Sequence, residues 1–345
     1  MALRSGDSGE VELDALPLVR PTGYHTGHAV CSCKLRGINL RVSWSRSIDK
    51  RLVHKEAVGD VFLTDMRCKN PDTFYAGAQW PARHHYFLSS SNTLDPMIFA
   101  ETLRQVTIAI AHEYFDVPMN YRFIMRRLTL AFEKSATHSQ SIIDARCRNL
   151  TLEVRVRDIV RAKGVLKSSI TEVYFWCGSE LLGTGTGDLL VLRPDVYVRM
   201  RSPSKQLAKD PIIRQDAALS SSGVDVRSLH GRAAQTHSLR FDLSHPVFFD
   251  HPVDHLPGML IIEACRKTLE SIDFVDNVTG GGDVISLDAI FHNFLELQTD
   301  TTISCMTRHA STVEEQVTLK THQQDLVGAY VCWTRTKTLV LGNVP

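Results

Sequence analysis

The stretch HPVFFDHPVDHLPGMLIIEACRK, residues 245–267, reads as an irregular loop that turns into a helix. Pro257-Gly258 breaks the chain, and the apolar run from Met259 to Ile262 begins a helical pattern. His251 and His255 sit on the irregular side of that boundary. Glu263 lands about one and a half turns into the helix, between Ile262 and Ala264, where a carboxylate is costly unless it is paired or used.

Working outward, the stretch ARHHYFLSSSNTLDPMIFAETLRQ, residues 82–105, repeats the same plan. His84 and His85 precede the Asp95-Pro96 turn, and an apolar run and a carboxylate follow. The two units read Pro96-x4-Glu101-x2-Arg104 and Gly258-x4-Glu263-x2-Arg266, which argues for an internal duplication. Asp95 suits an N-cap with Pro96 at the first helical position, and residues 97–114 keep helical periodicity. From 122 to 195 the pattern turns to strands, with alternating β-branched and aromatic residues. The second half repeats that order: a strand at 237–242, a helix from about 258 to 273, then strands near 284–297, 301–308, 314–321 and 326–340. One helix wrapped by an antiparallel sheet is the hotdog arrangement. Two in one chain predict an α+β double hotdog, in which the second half does what a partner subunit does in a homodimer. The expected organisation is an N-terminal arm (1–22), a first unit (23–200), a polar, Pro/Ser-rich linker (201–228) and a second unit (229–345).

Composition narrows the functional classes. The chain has 345 residues, 43% of them hydrophobic, enough for two units with a real core. A net charge of +1 provides no basic field for nucleic acid. No run of 18 apolar residues predicts a membrane span. The first residues carry charges and no apolar core, so they are not expected to be a signal peptide. The eight cysteines show no zinc-like pairing and are expected to be reduced thiols in a cytoplasmic protein; no metal or cofactor is expected.

Two resemblances sharpen the expectation. Phe248-Phe249, His251, Pro257-Gly258 and Glu263-Ala264 resemble the active-site stretch of β-hydroxyacyl-ACP dehydratases, although Asp250 stands where that family has glycine and Arg266 follows the acid. A resemblance to the A-factor biosynthesis (AfsA-like) family covers nearly the whole chain. It rests on Val53-His54-Lys55, Val61 to Asp65, Pro96-x4-Glu101-x2-Arg104-Gln105, His245-Pro246, Phe249 to Pro252, Asp254-His255, Pro257 to Leu260 and Glu263-Ala264. These are synthases of γ-butyrolactone and related signalling molecules. The resemblance implies acyl transfer from a β-ketoacyl carrier protein to a hydroxyl of dihydroxyacetone phosphate. The ester would then close to a butenolide phosphate or furan precursor.

Such a reaction needs a base, oxyanion donors, a grip on a phosphate dianion and an apolar tunnel. Glu101 and Glu263 are candidate bases, on the expectation that burial raises their pKa; His251 and His255 are further catalytic candidates. Arg104 and Arg266 suit bidentate phosphate binding. The helix starts near Met97 and at Gly258-Met259 offer free N–H groups. Gln105, His54, Lys55 and His85 complete the substrate-binding set. The bland alternatives are an i,i+3 salt bridge for each Glu-x-x-Arg, loop hydrogen bonds for the histidines, and turn or cap roles for Asp65 and Asp250. The run Gly183 to Gly187 lacks the end of a phosphate loop and is expected to be a flexible strand. The second half carries the fuller motif, and the site is expected to mix residues from both halves. A dehydratase and a non-catalytic acyl-binding module remain the competing functions, and a monomer or a homodimer would both suit the fold.

Overall fold

In a computed structural model of the chain, the structure describes residues 42–81, 84, 86–87, 95–133, 148–207, 220, 222–229, 236–275 and 283–336. Strand alternation dominates it. Along Asn149–Ala162, Leu150, Leu152, Val154 and Val156 point inward while their neighbours face outward, the period-two pattern of a half-buried strand. The elements of the first half are β1 (Leu63–Asn70), β2 (Thr73–Gln79), α1 (Pro96–Tyr114), β3 (Arg122–Phe132), β4 (Asn149–Ala162), β5 (Val165–Cys177) and β6 (Glu180–Leu192). Helix α2 (Pro194–Leu207) links the halves in sequence. The second half has β7 (Val224–Ser228), β8 (Thr236–Phe241), α3 (Gly258–Val275), β9 (Val284–Phe291), β10 (Thr302–Ala310), β11 (Glu314–Gln323) and β12 (Leu326–Thr336).

These strands form one antiparallel sheet in the order β1-β2-β4-β5-β6-β3-β9-β12-β11-β10-β8-β7. Adding six to each label of the first half reproduces the second half in reverse. The sheet is therefore symmetric about the β3–β9 seam, where Thr129 lies opposite Asp288 and Leu130 opposite Leu287. In each half the helix follows the second strand. This is a double hotdog, and the duplication inferred from the Glu-x-x-Arg repeat extends to the whole topology.

Helix α1 starts as its residues dictate. Pro96 occupies the first turn, and the Asp95 side chain accepts the Met97 N–H at 2.8 Å. The helix is buried on every side between Met97 and His112 apart from Arg104, so the face with Glu101 and Gln105 is also enclosed. Burying a side chain such as Leu103 contributes about 1.5–3 kcal/mol, and most of the helix's stability comes from such packing. The run Gly183 to Gly187 is part of β6 and serves packing rather than flexibility. A Cβ on Gly185 would fall 3.1 Å from the Leu103 side chain, so the bare backbone lets α1 lie close to the sheet.

The structure departs from the expectations in two places. The presumed linker carries structure at both ends, with α2 running to Leu207 and β7 pairing with β8 from Val224. Two 3-10 turns, Lys50–Val53 and Val58–Asp60, lead into β1. Cys177 is disulfide-bonded, whereas Cys68, Cys265, Cys305 and Cys332 are thiols. Among the described residues no helix is long and apolar enough to cross a membrane.

Candidate active site

The enclosed polar groups of α1 anchor the first candidate site. Arg104 donates from Nε and Nη2 to the two Glu101 oxygens at 2.9 and 2.8 Å, and from Nη2 to the Val53 carbonyl at 3.1 Å. One turn on, Gln105 donates to Glu101 and to the Asp60 carbonyl and accepts the Phe62 N–H. Gln105 is thus a positioning residue that ties the segment before β1 to α1. Burial pushes the Glu101 pKa up, but the charges of Arg104 and Lys55 and the hydrogen bonds from Arg104 and Gln105 outweigh it and hold it at about 2. This reverses the expectation of a raised pKa: Glu101 is a fixed anion, not a base poised near neutral pH.

The turn Lys50–Val53 delivers two more groups. It is capped by Asp49, and His54 ends it in the left-handed region (φ 53°, ψ 51°). That bend lets both His54 and Lys55 reach α1. The Lys55 ammonium is buried, 3.4 Å from Glu101 Oε1 and 3.5 Å from Asp250 Oδ2. His112 Nδ1 lies 2.7 Å from the Val117 carbonyl, so it must carry the proton, and its Nε2 is then an acceptor. His54 Nε2–H therefore donates to His112 Nε2 at 2.9 Å. Burial, together with the charges of His112, Arg104, His251 and Arg122, lowers the His54 pKa to about 3, which keeps it neutral.

The remaining partners come from the other half of the chain. Asp250, on the loop before α3, accepts the His251 Nδ1–H at 2.6 Å and faces Lys55. Burial pushes its pKa up, but His251 and Lys55 reverse the shift and hold the carboxylate below its usual range. His251 is held by Nδ1, which leaves Nε2 as the lone-pair nitrogen of the neutral ring. It lines a cleft of about 300 Å³ whose apolar wall includes Leu243, Phe249, Val253 and Leu297. Asp250 was expected to be a turn or cap residue. Its signal in the sequence was adjacency to His251, but the residue that needs it, Lys55, lies in the other half.

The symmetry-related site on α3 is built differently. Arg266 donates from Nε and Nη2 to both Glu263 oxygens at 2.7 Å and from Nη1 to Glu270 at 3.1 Å. Tyr86, from the loop before α1, lies against it. Burial and the charge of Glu263 raise the Tyr86 pKa well above the usual phenol range. Asp95 is raised to about 6 by burial, partly offset by Arg266. Tyr86 and Asp95 thus meet the helix of the second half, as Asp250 meets that of the first. The two loops share an atomic signature. His84 Nδ1 accepts the Tyr86 and Phe87 N–H groups, and His245 Nδ1 accepts those of Val247 and Phe248. Their rings lie 4.7 Å from Phe87 and Phe248 respectively. Both histidines are loop braces.

His251 and Glu263, adjacent in the sequence motif, belong to different sites. His251 joins Glu101, Arg104, Gln105, His54 and Lys55. His255 lies apart from these: its Nδ1 and the Tyr197 hydroxyl both donate to Asp254 Oδ1, at 2.8 and 2.6 Å, and Arg201 bridges Asp254 to Glu296. Sequence reasoning missed Tyr197 and Arg201 because α2 was taken as strand end and linker. The N–H of Met97 is spent on Asp95. Gly258 and Met259 do open α3, and a Cβ on Gly258 would lie 3.2 Å from the Phe291 ring. His85 lies outside the described residues.

Known proteins accord with this architecture. A synthase from Streptomyces virginiae, named 2-oxo-3-(phosphooxy)propyl 3-oxoalkanoate synthase, is 33% identical over 66% of this chain and 77% of its own. One of the same name from Streptomyces coelicolor is 30% identical over 63% of this chain and 69% of its own. An acyl-ACP thioesterase structure from Bacteroides thetaiotaomicron overlays 75% of this chain and 96% of its own, with 10% identity and a TM-score of 0.44. The family model for the AfsA A-factor biosynthesis hotdog domain matches residues 41–193 and 224–336, spanning both symmetric halves and the site each contributes to, and the chain belongs to that family.

Proposed function

We propose that this chain is an acyltransferase that joins a β-ketoacyl thioester to dihydroxyacetone phosphate. The product is a β-ketoacyl ester that cyclises to a butenolide phosphate, the precursor of a signalling molecule. The donor would be carried by acyl carrier protein. The observation that carries the assignment to a site is the Asp250–His251 pair of the second half, held at 2.6 Å and anchored on Lys55 and Glu101 of the first.

The chemistry follows from that arrangement. His251 Nε2 takes the proton from the attacking triose hydroxyl, and the oxygen adds to the thioester carbonyl. The tetrahedral intermediate collapses by breaking the C–S bond, and His251 returns the proton to the departing thiolate. Asp250 holds the ring in the right tautomer and stabilises the imidazolium formed on the way. Lys55 keeps Asp250 ionised and fixed, and Glu101 holds Lys55 in place. The apolar wall of the cleft gives the first methylenes of the acyl chain a place to leave water. Ring closure then joins the acidic methylene of the ketoester to the triose ketone with loss of water.

The symmetric positions favour this site over its twin. Aligning His84 with His245 and Phe87 with Phe248 sets Ser89-Ser90 opposite Asp250-His251. In sequence, the stretch before α1 therefore lacks a histidine–carboxylate pair at the aligned positions. The test is to mix the protein with a β-ketoacyl carrier-protein thioester and dihydroxyacetone phosphate and follow the mixture by mass spectrometry. Acyl release that depends on the triose phosphate, with a phosphorylated ester or butenolide as product, is the expected result. Water loss from a β-hydroxyacyl thioester, with no ester formed, would replace the reading with a lyase.

A further inference from the structure

Acyl transfer to a triose phosphate needs a cation for the phosphate, and the two arginines of the repeated motif are already committed. Arg104 forks onto Glu101 and the Val53 carbonyl, and Arg266 onto Glu263 and Glu270. Lys55 is buried between two carboxylates. Recruiting any of them to a phosphate would unpair a buried anion, which costs several kcal/mol.

Arg122 is placed differently. It opens β3 opposite Leu192 of β6, two residues before α2 begins, so it stands where the two elements meet. Its guanidinium carbon lies 5.9 Å from the centroid of the Tyr197 ring, on the first turn of α2. It is exposed and, among the described residues, has no carboxylate partner. The next residue, Phe123, packs edge-on against His54 at 5.3 Å and His112 at 4.9 Å, which brings this strand end to the floor of the His54–His251 site. The positive charge of Arg122 is felt at both His54 and Tyr197.

We infer that Arg122 is the specificity residue that grips the phosphate of the phosphorylated substrate at the mouth of the His251 site. This rests on the acyltransferase reading of that site. An unneutralised guanidinium at a solvent-facing rim can meet a dianion bidentately without losing an existing partner. Its contact with the Tyr197 ring holds the guanidinium in place, which limits the entropy lost on binding. The same chemistry suits the triose phosphate and the phosphodiester of the carrier's pantetheine arm; the inference commits to the triose.

The experiment compares wild type with Arg122→Gln and Arg122→Lys, after circular dichroism confirms that each is folded. Binding of dihydroxyacetone phosphate alone is measured by calorimetry, and KM is measured for both substrates. Arg122→Gln is expected to weaken triose phosphate binding and raise its KM about 10- to 100-fold, with less than about a three-fold change in the KM for the acyl donor. Arg122→Lys should recover part of the loss. Unphosphorylated dihydroxyacetone should be a poor acceptor for wild type and no worse for Arg122→Gln. Equal binding of the triose phosphate by wild type and Arg122→Gln overturns the inference and leaves the acyltransferase reading intact. So does a rise confined to the KM of the acyl carrier donor and absent with an acyl thioester lacking the phosphodiester, which would reassign Arg122 to the donor. Absence of any ester from wild type would instead sink the acyltransferase reading itself, whatever the calorimetry shows.

Discussion

Replacing Lys55 by methionine tests whether the site is assembled from both halves. Methionine keeps most of the buried stem and deletes the charge. The ammonium sits 3.4 Å from Glu101 and 3.5 Å from Asp250, with a side chain only 4% exposed. At an effective dielectric of about 20, each contact has a gross attraction of about 5 kcal/mol, against a desolvation cost of several kcal/mol for the buried ammonium. Removing one member of such a buried cluster is expected to cost about 3–5 kcal/mol. Glu101 retains Arg104 and Gln105, and Asp250 retains His251, which places the expected loss at the lower end, about 3 kcal/mol. The cross-half contact is isolated by a double-mutant cycle of Lys55→Met with Asp250→Asn, read from urea midpoints at a common slope by tryptophan fluorescence and far-ultraviolet dichroism. A coupling of about 1.5–3 kcal/mol is expected, with a similar value for Lys55→Met and Glu101→Gln. If the Lys55–Glu101 cycle couples while the Lys55–Asp250 cycle stays within about 0.5 kcal/mol of additivity, the second-half loop does not close on the first-half helix, and the composite site is wrong.

Other perturbations have distinct signatures. Asp250→Asn should leave the fold intact yet lower kcat by about 10²–10⁴-fold, and adding His251→Ala should cost little more, because the two act as a unit; additive losses would separate them. Arg266→Met strands the fully buried Glu263 and should destabilise by about 3–5 kcal/mol, largely recovered by adding Glu263→Gln; no recovery would mean the arginine acts elsewhere. Asp95 has a folded pKa raised from 3.8 to about 6, so the stability it contributes is fully present below 3.8 and is lost as pH rises through 6. Asp95→Asn keeps an N-cap and should raise stability at pH 7 by up to about 3 kcal/mol with little change at pH 3.5; an equal loss at both pH values would show that the cap, not the charge, dominates. Glu101 has the opposite sign. Its pKa is lowered from 4.5 to about 2, so its contribution is present above 4.5 and fades as pH falls through 2, and Glu101→Gln should flatten the acid limb of the stability curve over that window.

Local signals in the sequence located the helices well. The Asp95-Pro96 cap and Pro257-Gly258 turn mark the helix starts at Pro96 and Gly258, and the Glu-x-x-Arg repeat announced the duplication because both copies lie on one kind of surface. What stayed hidden depended on the third dimension. Burial of Glu101 suggested a raised pKa, yet Arg104, Lys55 and Gln105 together reverse it; Arg104 and Gln105 stand at helical spacing, but Lys55 carries no mark of pairing in the sequence. Helix α2 lacks a strong apolar stripe and contains Ser202-Pro203, so its local pattern reads as linker; it is held instead by Arg201 buried between Asp254 and Glu296. Asp250 looked like a turn residue because its partner is 195 positions away in the sequence.

That separation bears on how a duplicated fold keeps one site and changes the other. In a symmetric homodimer, a mutation in the loop alters both sites at once. Here Asp250 and His251, before α3, belong to the Glu101 site, and Tyr86, before α1, lies by Glu263, so each evolves with the helix of the opposite half. The helix motif is retained in both halves because each buried Glu needs its Arg for folding, whatever the chemistry. Asp250 answers to Lys55 instead, and His84 and His245 brace the chain before each helix. Asp250-His251 and its sequence counterpart Ser89-Ser90 differ, while the Glu-x-x-Arg pair is kept in both halves. A transplant separates the two contributions. Ser89→Asp with Ser90→His should restore acyl transfer to a His251→Ala protein only if the Glu263 site also supplies a cation equivalent to Lys55. Arg266 is committed to two carboxylates, and Lys267 stands 4.0 Å from Glu263, so the expected result is no rescue. Rescue to within about ten-fold of wild type would show that the histidine–carboxylate pair suffices and that Lys55 serves stability alone.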